Sequence, residues 1–203
     1  MKAQKAADVS LDRIHQFLVV QVVGPHAKTS LQEMGVTVPF RPETAAPLVT
    51  PDPSCTPSLA DAAQPCGLAV NLGADGALVI HHRDDSRFTT SRLNGESHWA
   101  LPRSDHIFSI EGLPASVNTL FSQLTEYRVE TFHPGDWRRL EFARAPAWIY
   151  PQNLPDKTQK MWTQNHADPI TFWVGCDPSY ATYLEDTLNE FGLQPANDPP
   201  AFA

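Results

Sequence analysis

Cys176 is the residue of this sequence best placed for nucleophilic chemistry. It precedes Asp177 and Pro178, a pair typical of the beginning of a helix. The N–H groups at a helix N-terminus stabilise a thiolate, whereas the neighbouring carboxylate of Asp177 opposes one. A nucleophilic cysteine also needs a nearby histidine, and the sequence does not show which of the eight histidines lies close. The sequence favours a small buried cysteine here and leaves Cys176 as the candidate catalytic residue.

His166 and Asp168 form a His-x-Asp pattern of the kind that binds non-haem iron when a second histidine completes the ligand set. No histidine follows His166, so His133 is the candidate third ligand, in an unusual order along the chain. A polar loop before a strand explains the same residues without a metal. We therefore predict no cofactor, with a single non-haem metal ion at His166, Asp168 and His133 as the alternative.

Aromatic and methionine side chains in polar surroundings are typical anchors of protein interfaces. Met161 and Trp162 lie in a polar stretch that gives them no local reason to be buried. His133 and Trp137 flank a Pro-Gly-Asp turn. These four residues are the predicted binding residues, and burial of Trp162 as a lid over the core is an equal alternative.

The charge of the chain restricts its partners. Fifteen basic and twenty-three acidic residues give a formal net charge of −8, which argues against binding nucleic acid through its phosphates. It suits a protein partner, and one with a basic surface in particular. No apolar run is long enough to predict a membrane span, and an odd number of cysteines, three, suits a reducing compartment. We predict a cytoplasmic protein and leave the pairing of Cys55 with Cys66 open.

Periodicity predicts most of the elements in the second half of the chain. Apolar residues between Pro114 and Tyr127 recur at helical spacing. The segments 127–132 and 137–142 resemble two strands of a hairpin around a type II turn. A strand over Ile170–Val174 leads into a helix that begins at Pro178.

The first half of the chain is predicted to contain a short helix within residues 1–16 and a buried strand at Phe17–Val23. Two apolar runs, 67–72 and 77–82, flank an Asp-Gly turn and predict a hairpin. Residues 39–65 contain seven prolines, which favour an extended loop or an arm that packs on a partner.

Together these elements predict an α+β fold with a largely antiparallel sheet of about six strands, two or three helices on one face and long Pro-rich loops. We predict a single domain over residues 1–203, in which 39–65 is a Pro-rich extended loop or arm and 194–203 is a loose tail. No stretch identifies a known family.

The sequence favours a non-catalytic intracellular protein-binding domain, such as an immunity or inhibitor protein, an adaptor or an assembly subunit. The alternative is a small metal-dependent or cysteine-dependent enzyme. The first hypothesis depends on the acidic charge and on the lack of a coherent catalytic motif. A bound metal or a reactive thiol would favour the second.

Overall fold

The computed structural model describes residues 9–48, 67–74, 76–154, 168–191 and 193–195. The strands are β1 (Val9–Ile14), β2 (Phe17–Val23), β3 (Ala45–Pro47), β4 (Gly67–Asn71), β5 (Gly76–His82), β6 (Trp99–Arg103), β7 (His106–Gly112), β8 (Arg138–Phe142), β9 (Ala145–Pro151), β10 (Ile170–Cys176) and β11 (Gln194–Pro195). The α-helices are α1 (Ala27–Glu33), α2 (Thr90–Leu93), α3 (Pro114–Leu124) and α4 (Pro178–Glu190). The predicted α+β class is confirmed, but the strands form two sheets, one of six strands and one of five.

The contacts within the chain divide it into two compact units. The first unit comprises residues 1–15, 106–134 and 138–203, and the second comprises 16–105 and 135–137. Residues 49–66 and 196–203, which carry most of the predicted Pro-rich arm and tail, lie outside the described residues. The single-domain organisation stays a prediction.

The first unit is a six-stranded sheet with two helices on one face. Its strand order is β11-β1-β7-β10-β9-β8, antiparallel except for the short β11, which runs parallel to β1. Buried side chains of α3, α4 and the sheet form one apolar core. Phe121 of α3 lies at its centre, with its ring centroid 4.7 Å from that of Phe172 and 5.4 Å from that of Phe142. This packing fixes both helices on the sheet.

The predicted βα unit at the end of the chain is confirmed. Every residue of β10 is buried, as the uninterrupted apolar run predicts for a central strand. Asp177 caps α4 by accepting a hydrogen bond from the Ser179 N–H at 2.9 Å, and Pro178 occupies the first turn. The cap and the proline together fix where the strand ends and the helix begins.

The predicted hairpin over 127–142 is wrong. Residues Val129–Thr131 form a 3-10 turn that ends at Phe132, and Val129 and Phe132 are both buried in the core of the first unit. Arg138 lies over the Phe132 ring, 4.6 Å from its centroid. A spacing of three suits a helical turn better than an alternating strand, and β8 pairs with β9 instead.

The predicted helix within residues 1–16 is also wrong in its described part, which is β1. Val9 and Leu11 are buried and alternate with Ser10 and Asp12, and the strand pairs with β7 along its whole length. Period-2 burial against a neighbouring strand outweighs the helix propensity of the residues before it.

The second unit is a five-stranded antiparallel sheet in the order β3-β4-β5-β2-β6. The predicted hairpin of β4 and β5 and the predicted strand β2 are confirmed. Ala27 and Leu31 of α1 pack against β2 and β5 in an apolar core. The sheet therefore buries one face under a short helix.

The edge strand β6 of this sheet is closed to a further strand. The Ala100 N–H donates to the Asn94 side chain at 2.7 Å. Pro102 has no N–H to offer. These two features protect the edge from pairing with another chain, although the Trp99 and Leu101 side chains beside it are exposed.

Candidate functional site

Cys176, the candidate catalytic residue, lies at the end of β10 and is only 1% exposed. Its cross-strand partners are His106 on β7 and Ala147 on β9. Directly opposed residues of an antiparallel pair project to the same face, so Cys176 and His106 share the face that carries the helices. The sulfur belongs to the apolar core of the first unit, and burial of this kind favours a structural cysteine. A catalytic role stays a prediction.

His106 belongs to a hydrogen-bonded network of polar side chains. Arg13 of β1 donates from Nη2 to His106 Nδ1 and from Nη1 to Glu185 Oε2 of α4, the latter at 3.4 Å. The same Nη2 also lies 3.5 Å from His106 Nε2, and a guanidinium can only donate. Three elements are joined here by charge-assisted hydrogen bonds at the end of the sheet. The contact with Arg13 orients the His106 imidazole, and the Cys176 sulfur stays buried in the apolar core.

The candidate metal ligands divide between the described and undescribed parts of the chain. His133 and Asp168 are both exposed, and His166 lies outside the described residues. Within the part of the chain that the structure describes, no three His, Cys, Asp or Glu side chains come together as a metal site. A metal at His166, Asp168 and His133 stays the untested alternative to the prediction of no cofactor.

The predicted binding residues also fall in different places. Met161 and Trp162 lie outside the described residues, and His133 is exposed. Trp137 is 2% exposed and lies in the short segment 135–137 of the second unit, where its N–H donates to the Glu43 carbonyl at 3.0 Å. Its side chain therefore contributes to packing in this structure.

His81, at the end of β5, is 3% exposed, whereas His82 beside it projects to the opposite face and is partly exposed. The Nδ1 of His81 donates to the His82 carbonyl at 2.9 Å, and its ring lies 4.9 Å from that of Phe88. Its Nε2 is buried and has no hydrogen-bond partner among the described residues. Burial lowers the pKa of His81 below its ordinary value of 6.5, because the charged form loses its hydration.

This burial predicts a loss of stability in mild acid. Below about pH 6.5 the unfolded chain binds a proton at His81, whereas burial keeps His81 neutral in the folded chain. The free energy of unfolding therefore falls as the pH falls. The slope from one proton is at most about 1.4 kcal/mol per pH unit. Urea unfolding of the protein between about pH 5 and 7.5 is expected to show this dependence, and His81→Asn is expected to reduce it.

The matched control is His82→Asn, which changes the exposed neighbour and is expected to keep the pH dependence of the wild-type protein. Equal slopes in His81→Asn and the wild type would show that another group accounts for the acid sensitivity.

Asp85 and Arg87, near His81, form a partly buried ion pair of 2.6 Å. Burial alone would raise the pKa of Asp85, but the hydrogen bonds from the Arg87 side chain and backbone outweigh it and the pKa is lowered. The pair keeps the loop after β5 in place. It leaves no charge free to bind a ligand.

The first unit contains a cleft of about 910 Å³. Its walls come from three segments: the end of α3 with the loop after it, the β8–β9 turn, and the last half of α4. Leu124 and Ala143 are buried in its floor, while Tyr127 and Tyr183 are 41% and 45% exposed at its rim. No sequence motif predicted this cleft.

The β8–β9 turn has an unusual backbone. Ala143 and Arg144 both have left-handed φ values, 52° and 64°, in a two-residue hairpin loop where such values usually require asparagine or glycine. The Ala143 N–H donates to the Leu124 carbonyl at 2.7 Å, and this bond fixes the turn to the end of α3. The surrounding structure therefore holds a conformation that costs free energy by itself, and it places Arg144 in the cleft.

The cleft is acidic. Its charged side chains are those of Glu126, Glu141, Asp186, Glu190 and Arg144, four carboxylates against one guanidinium. None of them forms an ion pair with another described residue. Acidic groups beside exposed tyrosine rings provide a site for a cationic group.

No protein-family model and no curated protein matches this sequence. Solved structures do match its fold. A chain of the heterotetrameric sarcosine oxidase from Corynebacterium sp. U-96 is 14% identical, with a TM-score of 0.62, and the match covers 93% of this chain and 89% of that chain. The glycine cleavage system aminomethyltransferase T from Bartonella henselae is 9% identical, with a TM-score of 0.58, and the match covers 92% of this chain but only 46% of that chain.

At these identities the likeness shows a shared fold. The solved chains that share it belong to enzymes, so the hypothesis of a non-catalytic protein-binding domain is wrong. None of the helices in the described part of the chain has the length and apolar character needed to span a membrane.

Proposed function

We propose that this chain is a component of a multi-chain enzyme that oxidises a small N-methyl amine such as sarcosine. The observation that supports this proposal is the extent of the fold match. This chain and the chain of the heterotetrameric sarcosine oxidase correspond over about nine tenths of both lengths. Two chains of one architecture and similar length are suited to the same place in an assembly.

The chemistry that this proposal implies is a two-electron oxidation. A hydride leaves the methyl carbon of sarcosine, the resulting iminium is hydrolysed to formaldehyde and glycine, and oxygen takes the two electrons to give hydrogen peroxide. The group that first accepts the hydride, before oxygen takes the electrons, belongs to the assembly as a whole. We place this reaction in the cytoplasm, with other protein chains as the partners of this one.

Aminomethyl transfer is the second candidate, because the aminomethyltransferase from Bartonella henselae has the same fold over 92% of this chain. This chain spans less than half of that enzyme, 46%, so more than half of its structure has no counterpart here. The sarcosine oxidase chain has little left unmatched. The oxidase comparison is therefore the better support.

The test is purification of the full chain, tagged and expressed at its native level in its own cells, with whatever binds to it. We expect other chains to co-purify, and we expect the preparation to consume oxygen when sarcosine is added, with formaldehyde and hydrogen peroxide formed in equal amounts. Glycine, which lacks the methyl group, is the control and should give no oxygen uptake. A preparation that releases ammonia from an aminomethyl group and consumes no oxygen would favour the second candidate.

A further inference from the structure

We propose that the cleft of the first unit docks a lysine- or arginine-bearing segment of another chain of the same enzyme. The existence of that other chain rests on the proposed function. The chemistry of the segment is inferred from the described residues of the cleft itself.

The charge of the cleft favours a basic occupant. Glu126, Glu141, Asp186 and Glu190 outnumber Arg144 by three charges, and no described side chain forms an ion pair with any of the four carboxylates. Carboxylates from three separate segments thus line one cleft without an ion-pair partner among the described side chains. A basic segment from a partner would be steered toward them.

The exposed face of α4 adds aromatic anchors to this charge. Tyr180 and Tyr183 are spaced by one turn and are 38% and 45% exposed. Tyrosine is among the residues that contribute most at protein interfaces, and its ring attracts ammonium and guanidinium groups. The Tyr127 ring already has the Arg138 guanidinium 5.7 Å from its centroid. Tyr183 is therefore the ring at which an incoming cation is expected.

The form of the cleft favours a protein segment over a free small amine. Sites for small molecules enclose most of the ligand and are lined mainly by apolar groups. Here the rim is exposed and charged, and the volume of about 910 Å³ would leave a small amine largely in water. A hydrogen bond from the Ala143 N–H to the Leu124 carbonyl ties the β8–β9 turn to the end of α3 beneath the cleft. A preformed groove lowers the entropic cost of docking a chain segment.

The test is a calorimetric titration of the full chain with a synthetic peptide rich in lysine and arginine, and with the same peptide after every lysine and arginine is replaced by glutamine. Two triple variants with the same change in net charge are compared. The cleft variant carries Glu126→Gln, Asp186→Asn and Glu190→Gln. The control variant neutralises exposed carboxylates elsewhere and carries Glu33→Gln, Asp84→Asn and Glu111→Gln.

We expect the basic peptide to bind the wild-type chain and the control variant within about two-fold of each other, and to bind the cleft variant about ten-fold more weakly. Tyr183→Ala is expected to weaken binding as well, and the glutamine peptide is expected not to bind. Equal weakening in the two triple variants would show a general attraction to an acidic protein and overturn the proposal. Displacement of the peptide by sarcosine would identify the cleft as a small-molecule site and overturn it too.

The same variants in the complex purified from cells separate this proposal from the proposed function. If sarcosine is oxidised and the cleft variant stays in the complex with full yield, the docking proposal fails and the function stands. If no amine is oxidised but the peptide still depends on the cleft carboxylates, the function fails and the basic docking site stands.

Discussion

Replacing Gly175 with alanine is expected to destabilise the first unit by about 3 kcal/mol or more. Gly175 lies in the central strand β10, directly opposite Trp148 on β9. An added Cβ at Gly175 would overlap Cε2 and Cζ2 of the Trp148 indole. Trp148 is only 4% exposed, so the ring has little room to move. The measurement is urea unfolding followed by tryptophan fluorescence.

Gly76→Ala is the matched control, because Gly76 also lies in a strand but an added Cβ there would meet its nearest atom, the Val22 carbonyl oxygen, at 3.6 Å. We expect a change below about 1 kcal/mol. Adding Trp148→Leu to Gly175→Ala should cost much less than the sum of the two single changes, because the second change removes the overlap. Equal effects of alanine at Gly175 and Gly76 would contradict the expected overlap between a Cβ at Gly175 and the Trp148 ring.

Phe121→Ala is expected to lower the free energy of unfolding by about 4 kcal/mol. The Phe121 ring contacts three other buried rings, those of Phe132, Phe142 and Phe172, at centroid distances of 6.2, 5.4 and 4.7 Å. Removing it leaves a cavity between α3 and the sheet that close-packed neighbours fill only in part. Thermal and urea unfolding both measure this loss.

The matched control is Tyr183→Ala, which removes an aromatic side chain from the exposed face of α4 and should cost less than about 1 kcal/mol. The same measurement shows that this variant folds, so that its effect on peptide binding reports on the cleft. A cost at Tyr183 as large as that at Phe121 would show that α4 packs through its tyrosines.

The elements that the sequence predicts best are those with two independent signals. The strand β10 and the helix α4 combine an apolar run, the cap at Asp177 and the proline at Pro178. The hairpin of β4 and β5 combines two apolar runs with an Asp-Gly turn. Where propensity, pattern and turn chemistry agree, the local structure follows.

The errors arise where pairing and packing with distant segments outweigh the local pattern. The sequence pattern predicted no strand at β6 or β7, although Ile107 and Phe108 are buried in β7, which lies between β1 and β10 in the six-stranded sheet. The hairpin predicted at Pro134 and Gly135 had turn residues but lacked the alternating burial that strands require. The true hairpin turns at Ala143 and Arg144, which carry no turn signal.

The cleft was beyond sequence reasoning because its walls come from three separate segments. Only packing brings the loop after α3, the β8–β9 turn and the face of α4 together. The sequence shows only one wall of the cleft, through the spacing of Tyr183, Asp186 and Glu190, which places them on one exposed face of a helix. That spacing predicts a solvated face as readily as a site. Only the geometry of the neighbouring β8–β9 turn shows that this helix face lines a cleft.

The most direct measurement of the proposed function is the rate of sarcosine-dependent oxygen consumption in cells that lack this chain. We expect the rate to fall to the background seen with glycine, and to return when the full chain is restored at its native level. An unchanged rate in the cells without the chain would contradict its assignment to an N-methyl amine oxidising enzyme.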